Sequence, residues 1–232
     1  LCVGLLGCVV VFIAFLLVSG RIVKPIAESY EKQKRFVSDA GHEMKTPLTI
    51  INANLDLLDG DVGKEELDDI RTQTKRMTEL TNNLVYLSKM EESEHKTVMV
   101  EMPLSDIVGE TVNSFHTLTA SKNIEMSANI AGGITAKGSP DAIRRLASIL
   151  LENAVKYSPD GGMIAVNLSK SKKSATLSVY NTTETEIDKA TLPYVFDRFY
   201  RTDASRNSET GGHGIGLSIA KAIVTVHGGS IS

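Results

Sequence analysis

Residues 36–49 read FVSDAGHEMKTPLT, so that Glu43 follows His42 directly and Thr46 lies one helical turn further on. Positions four apart on a helix share a face, which points the imidazole and the Thr46 hydroxyl the same way. A carboxylate beside a histidine accepts a hydrogen bond from one ring nitrogen and raises the nucleophilicity of the other. The pattern assigns His42 as nucleophile, Glu43 as its base and Thr46 as a hydroxyl able to orient a water. A lone histidine on an amphipathic helix is ordinarily a solvated or satisfied residue, and it is these neighbours that set His42 apart.

From Ile22 onward, Ile26, Phe36, Val37, Ala40, Met44, Leu48, Ile51, Leu55 and Leu58 recur mostly at spacings of three, four or seven, which predicts a helix until Gly60, Asp61 and Gly63 break it. A second helix is expected from Glu65 to about Met90, with Leu67, Ile70, Thr74, Met77, Thr81 and Leu84 as a heptad seam. Two long amphipathic helices make a hairpin that leaves a wide apolar stripe uncovered. Pairing two hairpins into a four-helix bundle covers it, so a homodimer is expected. Pro47 cannot donate to the helix ladder and is expected to kink the helix just after His42.

Outward from the hairpin, residues 1–18 are an almost unbroken apolar run without charge, close to the ~20 helical residues that span a bilayer core. Residues 1–20 are therefore expected to form a transmembrane helix in contact with membrane lipid. A secretory signal peptide and a buried core helix are the rival readings; no basic stretch precedes the run and no small-residue cleavage site follows it. Arg21, Lys24, Lys32, Lys34 and Arg35 come next, which by the positive-inside rule places residues after 20 in the cytoplasm. Cys2 and Cys8 both sit inside the apolar run and have neither disulfide nor zinc spacing. A net charge of −3 without basic clusters gives no field for a nucleic acid backbone, so nucleic acid binding is not expected.

Past Glu94 the pattern changes to alternating strand-like runs and helices, predicting a separate α+β domain from about residue 98. Strands are expected near 98–102, 124–130, 163–169 and 175–180, and helices near 105–121, 140–157 and 216–226. At the end of the second of these helices, ENAVKY (152–157) places Asn153 and Lys156 three apart and Tyr157 four beyond Asn153, all toward one side. Further on, GGHGIGL spaces Gly212, Gly214 and Gly216 by two, and bare backbone there lets successive N–H groups turn toward an anion at the start of a helix. No Gly-Lys-Ser/Thr follows, which excludes a P-loop, and neither the spacing nor a preceding strand fits a dinucleotide fingerprint.

In their order and spacing, HEMKT, ENAVKY, FDRFYR (196–201) and GGHGIGLSIAKAIV (211–224) resemble the two-component sensor histidine kinases, from about residue 21 to the end of the chain. The resemblance implies an α+β multidomain protein: a transmembrane helix (1–20), a helical signalling linker (21–35), a dimerisation and histidine-phosphotransfer hairpin (36–94) and an α/β-sandwich ATP-binding domain of the Bergerat or GHKL type (98–232). It also implies that the last domain stops at HGGSIS, short of a further strand. The linker opens with RIVKPI, like the start of the usual membrane-proximal module, but too few residues precede His42 for a complete one. The implied activity is transfer of the ATP γ-phosphoryl to His42 and then to an aspartate of a response regulator receiver domain, at the membrane of a bacterium. Thr46 would add phosphatase action.

By the same resemblance Asn153 binds Mg²⁺, Lys156 neutralises phosphate, Tyr157 packs beside the nucleotide and Gly212, Gly214 and Gly216 meet the phosphates. The polar segment between Asn181 and Gly211 would be the lid, held by Phe196 and Phe199, while Arg198 and Arg201 are open between contacts to phosphate or to the histidine-bearing bundle and ordinary surface roles. One departure stands out. Where the family has Asp-x-Gly-x-Gly, this chain has NTTETE (181–186), so Asn181 takes the place of the adenine-binding aspartate unless the alignment shifts by one residue. An amide oxygen still accepts that bond, more weakly than a carboxylate. A degenerate scaffold and a phosphatase-dominant enzyme therefore remain as alternatives, and subunit choice in phosphorylation stays open.

Overall fold

The computed structural model describes residues 2–56, 64–92, 98–172, 174–184, 187–201 and 212–232. The chain divides into two compact units, residues 1–77 and 78–232. The first is helical. Helix α1 (Cys2–Asp56) is one continuous helix of 55 residues, and α2 (Lys64–Glu92) runs for 29. The segment expected as a helical linker, residues 21–35, lies within this one helix, and the helix runs through Pro47 although the proline removes one rung of the ladder. Pro47 is buried.

The expected α2 seam is displaced. Gln73, Leu80 and Leu87, seven apart, are the buried positions, with Ile70, Met77 and Leu84 half-buried beside them, whereas Leu67, Thr74 and Thr81 are exposed. Both sets obey the heptad, and a period of seven does not say which of two adjacent stripes turns inward. The transmembrane expectation falls mostly on residues whose side chains lie outside those described. Among the described residues, no helix is long and apolar enough to cross a membrane.

The α+β part contains β1 (Val100–Pro103), α3 (Leu104–Ser121), β2 (Glu125–Ile130), β3 (Thr135–Gly138), α4 (Pro140–Tyr157), β4 (Met163–Ser171), β5 (Ser174–Asn181), a short 3₁₀ turn (Leu192–Tyr194) and α5 (Gly216–Val226). β1 and β3 pair antiparallel, and in a second sheet β2 pairs parallel with β4, which pairs antiparallel with β5. Four strands meet the sequence expectation within a few residues. β3 was not expected, because four residues, TAKG, between glycines carry no readable period and form a strand only through pairing with β1.

The core lies between the helices and one face of the larger sheet. Ile164, Val166 and Leu168 alternate inward from β4, meeting the period-two rule of a half-buried strand. Val108 and Val112 on α3, Leu151 and Ala154 on α4, and Ile219 and Ile223 on α5 are all buried. Ser105 closes one corner: its hydroxyl donates to the Ala131 carbonyl at 2.6 Å and accepts the Ile134 N–H at 2.9 Å. α4 has a full set of boundary signals, with Ser139 Oγ capping the Ala142 N–H, Pro140 in the first turn and Asp141 and Lys156 at the ends that suit their charges.

Candidate nucleotide-binding and phospho-acceptor sites

His42 is exposed on α1, Glu43 is half-buried and Thr46 is exposed. The three therefore occupy one solvent-facing stretch of helix, where an imidazole is accessible to an incoming group without unfolding.

The second constellation forms where the end of α4 meets the start of α5. A Cβ placed on Gly212 would lie 2.5 Å from the Lys156 Nζ, so the ammonium occupies the space that the missing side chain leaves. Lys156 also sits 4.8 Å from the centroid of the Tyr157 ring, a cation–π contact that holds it without neutralising it. No salt bridge engages Lys156 among the described residues. Gly216 opens α5, and a Cβ there would touch Ile149 at 3.5 Å. Among the described residues no side chain caps α5, so its first N–H groups have no side-chain acceptor.

Gly214 has φ +68°, and a Cβ on it would come within 2.7 Å of the Phe199 carbonyl carbon and the Tyr200 oxygen. Phe199 answers with φ 60° and donates its N–H to the Gly214 carbonyl at 2.9 Å. FDRFYR is thereby seated directly on the glycine segment, with the Tyr194 and Tyr200 rings 6.0 Å apart supporting it. Arg198 and Arg201 are half-buried, and burial pushes the Arg198 guanidinium below its ordinary pKa. Residues 185–186 and 202–211, most of the expected lid, lie outside the described residues.

Asn153 is half-buried at the end of α4, and its carboxamide has no hydrogen-bond partner among the described residues. Asn181 ends β5 opposite Ile164; its Nδ2 donates to the Thr182 carbonyl at 3.0 Å, and its Oδ1 accepts no hydrogen bond among the described residues. The Thr182 hydroxyl accepts the Met163 N–H at 2.9 Å and fills the place of a Cβ on Gly162, so this turn is tied down by Thr182 although the expected glycines are absent.

Sequence reading left Glu152, Arg145 and Asn83 without roles. Arg145 donates to the Asn83 carboxamide oxygen at 2.6 Å, joining α4 to the second half of α2. Burial pushes the Glu152 carboxyl up, with Arg145 opposing and Glu79 reinforcing the shift, and burial likewise pushes up the Tyr86 phenol. Only packing reveals this cluster, because its members are about sixty residues apart in the chain.

The geometry defines a class: an α/β domain whose lysine and glycine segment could receive an anion, in a chain that also has a helix presenting an accessible histidine. Comparisons with known proteins specify it. The His Kinase A (phospho-acceptor) domain matches residues 32–93, and the Histidine kinase-, DNA gyrase B-, and HSP90-like ATPase family matches 138–232. The phosphate regulon sensor protein PhoR of Pseudomonas aeruginosa is 35% identical over 213 residues, 89% of this chain and 48% of PhoR. Sensor histidine kinase RppB of Synechocystis is 29% identical over 221 residues, 92% of this chain and 48% of RppB. The histidine kinase ThkA, in complex with response regulator protein TrrA, shares the fold with a TM-score of 0.67 at 18% identity, over 93% of this chain and 60% of that one. The chain belongs to the two-component sensor histidine kinases. It spans about half the length of the curated relatives it matches.

Proposed function

We propose that this chain is the kinase part of a sensor protein, transferring the γ-phosphoryl of ATP to His42 and from there to an aspartate on a response regulator receiver domain. The observation that carries the reading is the Lys156 ammonium held over Gly212 at the uncapped start of α5, in the same chain as the exposed His42. Phosphoryl transfer depends on positioning and charge neutralisation more than on covalent machinery. Lys156 and the α5 N–H groups would hold the phosphates, Gly212 and Gly214 would permit their close approach, and Tyr157 would border the nucleotide. Asn181 would accept from the adenine amino group through Oδ1. Arg198 and Arg201 remain candidates for the phosphates or for the helix bearing His42.

The residues fit Mg²⁺ as a partner of the nucleotide. Asn153 has an uncommitted oxygen, and no group of three acidic or histidine side chains among the described residues would hold the ion alone, so phosphates and waters would complete its shell. When bound, the ion supplies charge neutralisation at the phosphates.

Glu43 would accept a hydrogen bond from the His42 ring, and Thr46 would orient a water for hydrolysis of the regulator's acyl phosphate. The exposed Leu67 and Leu55 fit a homodimeric four-helix bundle. The uncharged apolar run at 1–18, continuous in α1 with the phospho-acceptor segment, supports a membrane anchor in lipid with residues after 20 in the cytoplasm. The degenerate-scaffold reading draws on NTTETE alone, and the Asn181 acceptor weighs against it.

The test is incubation of the chain with γ-labelled ATP and Mg²⁺, beside His42→Gln and Asn153→Ala. Acid-labile, alkali-stable label that disappears in both variants is expected. No label in a folded native dimer would move the reading to the scaffold or the phosphatase.

A further inference from the structure

His227 caps the end of α5, and its ring makes two hydrogen bonds of opposite kind. Nδ1 lies 2.7 Å from the Ile223 carbonyl oxygen, and Nε2 lies 3.0 Å from the backbone nitrogen of Ser139. A carbonyl only accepts and a backbone N–H only donates, so the proton belongs on Nδ1 and Nε2 presents a lone pair. Ser139 is the N-cap of α4, holding the Ala142 N–H with its hydroxyl. One imidazole thus ties the last turn of α5 to the first residue of α4.

Gly138 makes room for it. A Cβ at 138 would lie 2.7 Å from His227 Cδ2, 2.9 Å from Nε2 and 2.7 Å from Met102 Cε. The opposite ends of the same two helices carry the nucleotide constellation, with Lys156 over Gly212 and Ile149 against Gly216. α4 and α5 therefore run antiparallel, clamped by His227 at one end and meeting around the phosphate-binding groups at the other. A helix is stiff along its axis, so an axial slip at the clamp is carried to the far end.

We propose that His227, neutral and protonated on Nδ1, is a positioning residue that fixes the axial register of α5 against α4 and so sets Lys156 and Asn153 against the glycine segment. The proposal rests on the ATP-binding reading, and His227 itself does not touch the nucleotide. Protonation converts Nε2 to a donor facing the Ser139 N–H, which opens the clamp. The charged groups on the surrounding elements are Glu101 on β1, Lys137 on β3, Asp141, Arg144, Arg145, Glu152 and Lys156 on α4 and Lys221 on α5, of which Arg145 and Lys156 are half-buried and the others exposed; Met102, Gly138, Ser139 and Ile223 are the residues placed against the ring.

The experiment is calorimetric titration of this chain, in detergent, with ATP and Mg²⁺ between about pH 8 and about pH 5.5. Native protein is compared with His227→Gln, whose amide oxygen replaces the Nε2 acceptor, and with His227→Leu, which has none. At pH 8, native and His227→Gln should bind alike, and His227→Leu should bind about three- to tenfold more weakly with unchanged stoichiometry. On acidification native affinity should fall toward that of His227→Leu, while His227→Gln changes less. Equal affinity of His227→Leu and native protein at pH 8, or parallel pH profiles for native and His227→Gln, would overturn the proposal. Should His227→Leu not fold, the second comparison decides alone. Native protein that binds no ATP at any pH would remove the ATP-binding reading and this proposal with it.

Discussion

The Phe199 N–H donates to the Gly214 carbonyl at 2.9 Å, and both residues hold a left-handed backbone, φ 60° and 68°. A non-glycine residue at positive φ is uncommon, and here it places FDRFYR in contact with the glycines at the head of α5. The loop segment and the glycine segment therefore form one piece of structure, and a change in one is felt by the other.

Gly214→Ala tests that coupling. Its methyl group would meet the backbone of Phe199 and Tyr200, which cannot swing aside as a side chain can, and alanine adds about 1–2 kcal/mol of left-handed strain. ATP affinity should fall at least tenfold while the far-ultraviolet circular dichroism stays native. An alanine variant with native ATP affinity would show that the two segments are not coupled.

Lys156→Ala removes a charge that no acidic side chain offsets among the described residues. Loss of about tenfold or more in ATP affinity is expected from one lost charge-assisted phosphate contact, with a smaller loss for ADP than for ATP if the ammonium faces the γ-phosphate. Equal titration curves for native and variant protein would exclude Lys156 from the phosphates.

Ser105→Ala should destabilise the α+β domain by about 1–3 kcal/mol, because it leaves the buried Ile134 N–H and Ala131 carbonyl without the hydroxyl that joins them. Urea unfolding measures this, with an unchanged m-value expected. A loss under about 0.5 kcal/mol would mean that water replaces the hydroxyl.

Glu152 gives a pH signature. Although the residue is exposed overall, partial burial raises its carboxyl pKa above the ordinary 4.5, so the folded state favours the protonated form by an amount that solvent screening keeps small. Its contribution to stability is fully present below that ordinary value and is lost as the pH rises through the raised one. Glu152→Gln, neutral throughout, should raise the thermal midpoint at pH 7, and the gain should shrink as the pH approaches 4.5. A gain that is constant across this range would point to packing rather than charge. Deletion of Arg145, which opposes the shift, should raise the Glu152 pKa further.

Much of the site was legible in the residues. α4 was expected over 140–157 and occupies that span, because Ser139, Pro140 and Asp141 mark its start by local chemistry alone. α5 was expected over 216–226 and occupies that span, and Gly228 at φ 70° follows its end. The β4 alternation and the grouping of Asn153, Lys156 and Tyr157 near the end of one helix follow from period and spacing. Roles for those residues came from resemblance, since NAVKY read by itself is only the end of an amphipathic helix.

Long-range placement was not legible. The α2 stripe was assigned to Leu67, Ile70, Thr74, Met77, Thr81 and Leu84, yet Gln73, Leu80 and Leu87 are the buried ones and of the assigned set Ile70, Met77 and Leu84 are half-buried; a heptad fixes spacing, and only packing fixes rotation. β3 exists because β1 offers it hydrogen bonds, with Val100 and Gly138, 38 residues apart, meeting only in the folded chain. Expected glycines after Asn181 are replaced by Thr182, whose hydroxyl does the work of holding the turn through Met163. The His227 ring between Ser139 and Ile223, and Arg145 on Asn83, likewise depend on which helices lie side by side. Sequence by itself determined where helices begin and end and which chemical groups they carry, because caps, glycines and hydrophobic period act over a few residues. Tertiary structure alone decided which face turns inward and which distant atoms meet, because burial and hydrogen bonding reward contacts that no local pattern encodes.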